Sequence, residues 1–352
     1  MSFKLNPLFS DNMVLAKGRP VRVFGEGDCA VTVSFLGETK TVESKDGKFL
    51  CELATPAEYG GPYELVVSAE GETYTFKNVY VGEVVILGGQ SNLQFKVWQS
   101  STEKKKVHPN DKLRFFMLER PEKAENEHKE LKEYSEGEAT ETIFPEDGWV
   151  LHKRENLGQW SLLGTRIAEF IVQRCGCVVG LIGCYQGASA IEGWLPKELC
   201  NIPPYDNIPV EDKRAYNHVM FPCCTWNADG FLYDYMWSKL LPYSVNNMVW
   251  YQGEADSMGR EATVYDYEMK ELINRYREDL MFPEMPFIVI QITDFDRRTD
   301  IGWKNLQEAQ ARVPDLVDNC VCVTSSDVCE HDDTHPATKI YLAMKVVDAL
   351  GY

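Results

Sequence analysis

The chain shows two different patterns of hydrophobic and polar positions. Between residues 9 and 80, short segments alternate apolar with polar residues and are separated by turn residues, and Asp46-Gly47 is typical of a hairpin turn. Strict alternation without a helical period predicts strands that bury one face. We therefore predict a small β-sandwich-like domain over residues 1–80.

Beyond residue 80, continuous apolar runs alternate with amphipathic stretches. The predicted strands are 84–87, 178–182, 248–251, 287–292 and 320–324, and the predicted helices are 162–174, 226–241, 265–280, 303–313 and 337–350. Strands that are apolar on both faces are typical of parallel sheets covered by helices. The alternation predicts a second domain over residues 81–352, with a parallel, doubly wound, flavodoxin-like α/β fold.

Two segments depart from this alternation. Residues 119–142 are dominated by Glu and Lys, which favours a solvated excursion of low functional content. Residues 201–222 contain several prolines with tyrosines between them. Such a loop either frames a substrate or simply covers the surface.

Charge and cysteine content narrow the possible functions. The formal net charge is −18, which disfavours binding to nucleic acid or to an anionic membrane surface. The chain has 11 cysteines without the spacing of a disulfide framework, and its first residues lack the apolar run of a secretory signal. We expect a cytoplasmic protein with free thiols.

The first candidate for chemistry is Ser91, in Gly88-Gly89-Gln90-Ser91-Asn92 directly after the predicted strand 84–87. Ligands of open α/β sheets bind at the carboxyl ends of the strands. A serine that begins a helix there also lies in the positive field of unpaired N–H groups. The alternative is that Ser91 only caps a helix.

The second candidate is the hexapeptide 331–336 (HDDTHP), which follows the last predicted strand. A histidine at this edge could accept the proton of Ser91, and a nearby carboxylate could fix its tautomer. The segment could also be a helix start, with Asp332 or Thr334 as cap. Metal binding by His331 and His335 is disfavoured because Pro336 places the helix start after both histidines.

Glycine turns follow two further predicted strands. Gly187 follows strand 178–182, and Gly253 follows strand 248–251. Acyl transfer requires hydrogen-bond donors aimed at a developing oxyanion, and backbone N–H groups at such turns can supply them. The recurrence of these turns at successive strand exits favours a functional role.

Four motifs in register resemble one enzyme superfamily. They are Gly89-Gln90-Ser91-Asn92, the Gly187 turn leading to Ile191-Glu192-Gly193-Trp194, Tyr251-Gln252-Gly253-Glu254, and Asp332-x-x-His335-Pro336. Together they resemble the SGNH hydrolases, and more narrowly the sialate O-acetylesterase branch that includes carbohydrate acetylesterases. The resemblance implies a three-layer α/β/α fold.

The resemblance also implies roles for individual residues. Ser91 would be the nucleophile, His335 the general base and then acid, and Asp332 the group that orients His335, with Asp333 as the alternative. The oxyanion hole would use the N–H groups of Ser91 and Gly187 and the side chain of Gln252. Asp256 departs from the superfamily pattern, in which many members have an asparagine donor. An ionised aspartate cannot donate, so Asp256 turns away, stays protonated, or leaves this role to Gln252.

The predicted function is a serine esterase that removes O-acetyl groups from carbohydrates through an acetyl-enzyme, without cofactor or metal. Sialic acid is the first substrate candidate, and acetyl xylan-type plant polysaccharide fragments are the second. Substrate-framing residues are expected to be Gln90, Asn92, Trp194 and Glu254. The alternative from another class is a catalytically silent carbohydrate-binding protein on an SGNH scaffold.

Overall fold

The computed structural model describes residues 3–121, 148–208, 225–257 and 261–352. The predicted excursion 119–142 lies outside the described residues from position 122 onward, and the proline-rich segment 201–222 does so from position 209.

Alternation in the first part of the chain produces two facing sheets. A three-stranded sheet has the order β1 (Lys4–Leu5), β3 (Val21–Glu26) and β6 (Lys48–Leu53). The second contains β2 (Val14–Ala16), β4 (Ala30–Phe35), β5 (Glu38–Glu43), β7 (Gly60–Ala69) and the start of β8. Apolar side chains such as Val33 on β4 and Cys51 on β6 are fully buried, as expected for alternating strands with one buried face.

The strand β8 (Glu72–Gly89) joins the two parts of the molecule. Its first half pairs with β7, and its second half pairs with strands of the larger sheet. The predicted domain division after residue 80 therefore falls within one continuous strand that belongs to both parts.

The larger sheet is mixed. It contains β9 (Asn110–Met117), β10 (Val150–His152), β11 (Val179–Tyr185), β12 (Asn247–Tyr251), β13 (Phe287–Ile290) and β14 (Cys320–Val323). Its order is β10-β9-β11-β8-β12-β13-β14, and β10 alone among these pairs is antiparallel to its neighbour. The five predicted strands are parallel in the order 2-1-3-4-5, which is the flavodoxin-like order.

The α-helices within the described residues are α1 (Ser91–Gln94), α2 (Leu162–Cys175), α3 (Ile191–Trp194), α4 (Phe231–Tyr235), α5 (Tyr265–Asp279), α6 (Ile301–Leu316) and α7 (Ile340–Ala349). Helix α2 packs with α7, and α5 packs with α6. No helix within the described ranges is long and apolar enough to cross a membrane.

The predicted helix 226–241 is wrong as one continuous helix. The structure has a short 3₁₀ turn at Thr225–Asn227, then α4, then another 3₁₀ turn at Trp237–Leu240. Gly230 adopts a left-handed conformation with φ +77°, which separates the first turn from α4. Burial of Trp237 and Leu240 explains the apolar pattern without a continuous helix.

The position of the last helix, α7, determines the path of the loop that precedes it. Because α7 packs against α2, the loop 324–339 after the edge strand β14 must return across the carboxyl edge of the sheet. This return brings the hexapeptide 331–336 toward the exit of the central strand β8.

Candidate active site

Ser91 lies just beyond β8, at a turn that requires glycine. Gly89 has φ +130°, and a Cβ atom there would collide with the Tyr251 carbonyl oxygen at the end of β12. The Gln90 N–H donates to that same oxygen at 3.0 Å. Ser91 then begins α1 and is half-buried, and no described residue accepts a hydrogen bond from its N–H.

Gln90 is held beside the serine rather than at a substrate surface. Its side-chain oxygen accepts the N–H groups of Gly253 at 3.3 Å and Ala255 at 3.5 Å. Its Nε2 lies 3.4 Å from the Ser91 Oγ, and the residue is 3% exposed. The predicted substrate-framing role is therefore limited to this amide, which faces the serine.

Two contacts bring His335 to the Ser91 turn. Asn92 Nδ2 donates to the Thr334 carbonyl oxygen at 3.0 Å. The His335 ring stacks beside the Phe95 ring, with centroids 6.3 Å apart and an interplanar angle of 17°. Phe95 in turn donates its N–H to the Ser91 carbonyl oxygen at 2.8 Å. The structure thus places the loop of His335, which follows the edge strand β14, against the Ser91 turn at the exit of the central strand β8.

The two aspartates before His335 differ in their contacts. The Asp333 Oδ1 accepts the backbone N–H of His335 at 2.8 Å, which shapes the turn but leaves the ring to other groups. Both Asp332 and Asp333 are exposed. Neither Asp332 nor Thr334 caps a helix, because α7 begins only at Ile340. The capping alternative is therefore wrong.

The predicted oxyanion donors are partly engaged. The Gly187 N–H donates to the Gln94 side-chain oxygen at 2.8 Å. Both amide hydrogens of the fully buried Gln252 are also used, one for the Ser189 carbonyl oxygen at 2.8 Å and one for the carboxylate of Asp256. Gln252 would have to exchange a partner before it could donate to an oxyanion.

Asp256 acts as an acceptor inside the loop structure. One carboxylate oxygen accepts from Gln252, and the other accepts the Ile191 N–H at 3.2 Å. Asp256 is 2% exposed and so faces the interior. Because both of its carboxylate oxygens accept hydrogen bonds within the loops, these contacts favour the alternative in which Asp256 turns away from the oxyanion.

Trp194 does not frame the substrate, which corrects the sequence prediction. Its side chain is fully buried, and its Nε1 donates to the Ser189 Oγ at 2.9 Å. Its ring packs edge-on against Trp250 with centroids 5.8 Å apart. Its apolar ring is held in the core, from where it supports the loop that carries Gly187.

Asn92 is buried and Glu254 is half-buried, and the predicted contact of these two residues with substrate stays a prediction. Asn92 is 1% exposed and donates to the Glu254 Oε1 at 2.5 Å. Burial raises the pKa of Glu254, and its Oε2 has no hydrogen-bond partner among the described residues. These two side chains therefore form part of a buried polar cluster beneath Ser91.

Sequence reasoning missed Lys339, which completes this cluster. The side chain is fully buried, and its Nζ donates to the Asn92 Oδ1 at 2.7 Å. The ammonium lies 5.4 Å from the Tyr251 ring centroid and 5.9 Å from that of Phe95. Burial lowers the pKa of Lys339 to about 8. In the sequence, only its position four residues after His335 indicates that Lys339 could lie near the site.

Glu103 was missed for a similar reason. Its carboxylate accepts the N–H groups of Lys339 and Ile340, the latter at 3.0 Å, and so caps the start of α7. The other oxygen accepts from Arg166 Nε at 2.6 Å. A lone glutamate in a Lys-rich segment reads as a solvated surface residue, whereas Glu103 is 1% exposed.

The mixed sheet with its flanking helices is an α/β fold, and the serine at the exit of its central strand and the histidine loop against the same turn form a candidate active site. The family model for carbohydrate esterases, described as sialic acid-specific acetylesterases, matches residues 81–345, and the chain belongs to this family. It is thus a carboxylic ester hydrolase that acts as a carbohydrate O-acetylesterase.

One solved structure is similar over nearly the whole chain. A carbohydrate acetylesterase from Xanthomonas citri has a TM-score of 0.80 at 25% identity, covering 99% of this chain and 74% of that one. A protein from Arabidopsis thaliana has a TM-score of 0.48 at 18% identity, with coverages of 76% and 97%. An acetyl xylan esterase from the rumen bacterium Butyrivibrio proteoclasticus has a TM-score of 0.34 at 10% identity, with coverages of 99% and 97%. Among curated proteins, none matches this chain.

Proposed function

We propose that Ser91 and His335 are the nucleophile and the general base of an SGNH-type esterase domain that follows a β-sandwich-like domain. The observation that carries this proposal is the placement of His335 against the Ser91 turn by the Asn92–Thr334 hydrogen bond and the Phe95–His335 stack. A serine beside a histidine at a strand exit has the arrangement required for nucleophilic acyl transfer.

The reaction proceeds in two halves. The Ser91 Oγ adds to the acetyl carbonyl carbon while His335 takes the hydroxyl proton. Collapse of the tetrahedral intermediate breaks the bond to the sugar oxygen, which leaves with the proton from His335. Water then adds to the acetyl-enzyme while His335 takes its proton. Collapse of the second tetrahedral intermediate breaks the bond between the acetyl carbon and the Ser91 Oγ, which recovers the proton from His335, and acetic acid is released.

The oxyanion is proposed to bind at the Ser91 N–H, which begins α1, together with the Gly187 N–H. For the Gly187 N–H to take part, its hydrogen bond to Gln94 must open or be shared. We assign Gln252 to the support of this loop, because its amide joins Ser189 to Asp256. The Gln90 Nε2, close to the Ser91 Oγ, is a further donor beside the reacting carbon.

The family description points to sialic acid as the first substrate class, and acetylated xylan fragments are the second. The net charge of −18 favours the neutral xylan substrate over an anionic sialate, although local charge at the site can override it. Comparing kcat/KM for acetylated sialic acids, xylo-oligosaccharides and an aryl acetate tests this assignment. If neither sugar class exceeds the aryl acetate, the carbohydrate assignment of the site fails.

A cytoplasmic location without nucleic-acid or membrane partners also remains a proposal. It is supported by the acidic net charge and by the cysteines, which are free thiols wherever the structure describes them.

Replacement of the nucleophile is the first test of mechanism. Ser91→Ala is expected to lower kcat for an acetyl ester reporter by at least about 1,000-fold, because no acetyl-enzyme can form. The melting temperature should change little, since Ser91 makes few contacts.

A serine-directed phosphonate provides the matching control. It should label the native chain at Ser91 and leave the Ser91→Ala variant unmodified. Retained turnover in the variant would exclude the mechanism. Absence of labelling and turnover in the native chain would instead favour the catalytically silent carbohydrate-binding alternative.

A further inference from the structure

We propose that Lys339 is a positioning residue which, through Asn92 and Glu254, fixes His335 relative to Ser91. These three side chains are called the clamp. The inference rests on the proposed function, because it assumes that Ser91 and His335 react together. Lys339 lies below the serine turn in the protein interior, so it acts through Asn92 rather than by contact with the acetyl group.

The clamp fixes the orientation of one amide. The Asn92 oxygen accepts from the Lys339 ammonium at 2.7 Å, and its nitrogen donates to Glu254 at 2.5 Å and to the Thr334 carbonyl oxygen at 3.0 Å. A flipped amide would place its NH₂ against the ammonium and its oxygen against the carboxylate and the carbonyl. All three contacts would then become repulsive. Lys339 and Glu254 thereby hold the donor that keeps Thr334 in place.

The location of His335 explains why such a clamp is needed. His335 lies in the loop 324–339, which returns from the edge strand β14 to the central strand β8. Loops hold side chains less accurately than strands or helices do. A displacement of about 1 Å in a catalytic group can lower the rate about 100-fold. The bond from Asn92 to Thr334 acts on the residue directly before His335.

The composition of the clamp favours a functional role over a purely stabilising one. Lysine is almost never fully buried, because removal of an ammonium from water is costly. The carboxyl groups of Glu254, Glu330 and Glu103 partly offset this cost, because they attract the ammonium of Lys339. A buried methionine would fill similar space without that cost. The retained charge is explained if the orientation of Asn92 is what matters.

A second set of hydrogen bonds connects the chain after Ser91 to the chain after His335, so the clamp is needed only for the residue before His335. The Ser100 Oγ donates to the Ala337 carbonyl oxygen at 2.6 Å, and Glu103 caps α7. These contacts hold the chain after His335, so removal of Lys339 should leave α7 docked. The clamp holds the residue before His335.

The test compares Lys339→Met with Lys345→Met. Lys345 lies on α7 and bonds to Thr324 and Asp327, away from the serine turn, so it provides the same substitution within the helix that Lys339 precedes. For Lys339→Met we expect kcat to fall about 100-fold for both aryl acetate and sugar acetate, with KM changed by less than about threefold. Lys345→Met should retain kcat.

A double-mutant cycle shows whether Lys339 acts through Asn92. If it does, the variant with both Lys339→Met and Asn92→Leu should be no slower than the slower single variant. Losses that multiply, or full kcat in Lys339→Met, would overturn the proposal. Phosphonate labelling of Ser91 should slow in parallel with kcat. The clamp and the proposed function fail differently: full kcat in Lys339→Met would contradict the clamp alone, whereas turnover by Ser91→Ala would contradict the proposed function on which the clamp rests.

A charge-exchange variant separates positioning from folding if Lys339→Met does not fold. Asn92→Asp with Glu254→Gln restores a hydrogen bond between positions 92 and 254 and keeps an acceptor for Lys339. It supplies no donor for the Thr334 carbonyl oxygen. We expect a melting temperature near that of the native chain while kcat stays about 100-fold low. Recovery of kcat together with the melting temperature would overturn the proposal.

Discussion

Two buried carboxylates lie at opposite edges of the larger sheet. Glu83 lies where β8 enters this sheet, Glu254 lies at the carboxyl edge, and their surroundings differ. Glu83 accepts hydrogen bonds from the hydroxyls of Tyr59 at 2.7 Å and of Tyr352. Glu254, at the carboxyl edge, has one oxygen without a partner among the described residues and shares its cluster with the ammonium of Lys339.

The difference between these two clusters concerns what each one joins. The Glu83 cluster ties the first, strand-rich part of the chain, through Tyr59, to the last residue, Tyr352. Both of its carboxylate oxygens are satisfied by neutral donors. The Glu254 cluster joins the turn at the start of α1, which carries Ser91, to the loop that carries His335. Satisfied polar groups contribute stability, whereas unsatisfied and charged groups that remain buried indicate a site shaped for function.

Besides Ser91 and the clamp, a large loss of activity is expected at the carboxyl edge from the aspartates beside His335. Asp332→Asn should lower kcat about 100-fold if Asp332 orients the imidazole, because the wrong tautomer cannot accept the serine proton. The melting temperature should be unchanged, since the side chain is exposed.

Asp333→Asn is the matched control, because its side chain bonds only to the His335 backbone N–H in the contacts described above. It should retain most of kcat. If Asp333→Asn loses more activity than Asp332→Asn, the assignment of the orienting carboxylate is reversed.

Substitution in the Glu83 cluster is expected to lower stability and to leave activity unchanged. Tyr352→Phe leaves one buried oxygen of Glu83 without a donor, so the free energy of unfolding should fall by about 1–3 kcal/mol while kcat is retained. Urea denaturation measures this change. Tyr341→Phe, at a tyrosine that is 56% exposed on α7, should change neither quantity. A loss of kcat in Tyr352→Phe at full folding would contradict the division between the two clusters.

A smaller effect, dependent on pH, is expected at a third buried polar group. His152 is fully buried on β10 against Trp160, and both ring nitrogens lack a partner within the described part of the chain. Burial lowers the pKa of His152 to about 4, from a usual value of 6.5. The folded state therefore binds this proton less readily than the unfolded state. The contribution of His152 to the free energy of unfolding should be full above pH 6.5 and should be lost as the pH falls toward 4.

The size of that loss can be measured by unfolding at pH 6.5 and 5.5. The His152 contribution to the free energy of unfolding should fall by about 1 kcal/mol over this interval. His152→Phe should lose less over the same interval. Parallel losses in the native chain and the variant would show that other groups cause the acid sensitivity.

Much of the larger sheet could be predicted from the sequence, because buried parallel strands have continuous apolar runs. The run 84–87 lies within β8, and 248–251 lies within β12. Strands β9 and β10 were missed for physical reasons. β9 begins with polar and charged residues and is buried only from Leu113 to Phe116, and β10 is an edge strand of three residues.

The position of some site residues could be predicted from the sequence, whereas the contacts of others could not. Ser91 and His335 stand next to turn residues that mark strand exits, so their meeting at one edge could be expected. The contacts of Asn92, Lys339 and Glu103 depend on how the loop 324–339 returns across the sheet. Sequence separation hides such contacts, and a charged residue without its partner reads as a surface residue.

The most direct measurement of the central claim is the site of the covalent intermediate. The native chain is mixed rapidly with an acetylated substrate, quenched in acid and digested for mass spectrometry. We predict one acetyl group on the peptide that carries Ser91, formed within the first turnover and absent from the Ser91→Ala variant. Turnover without this acetyl group, or with the group on another residue, would contradict the account.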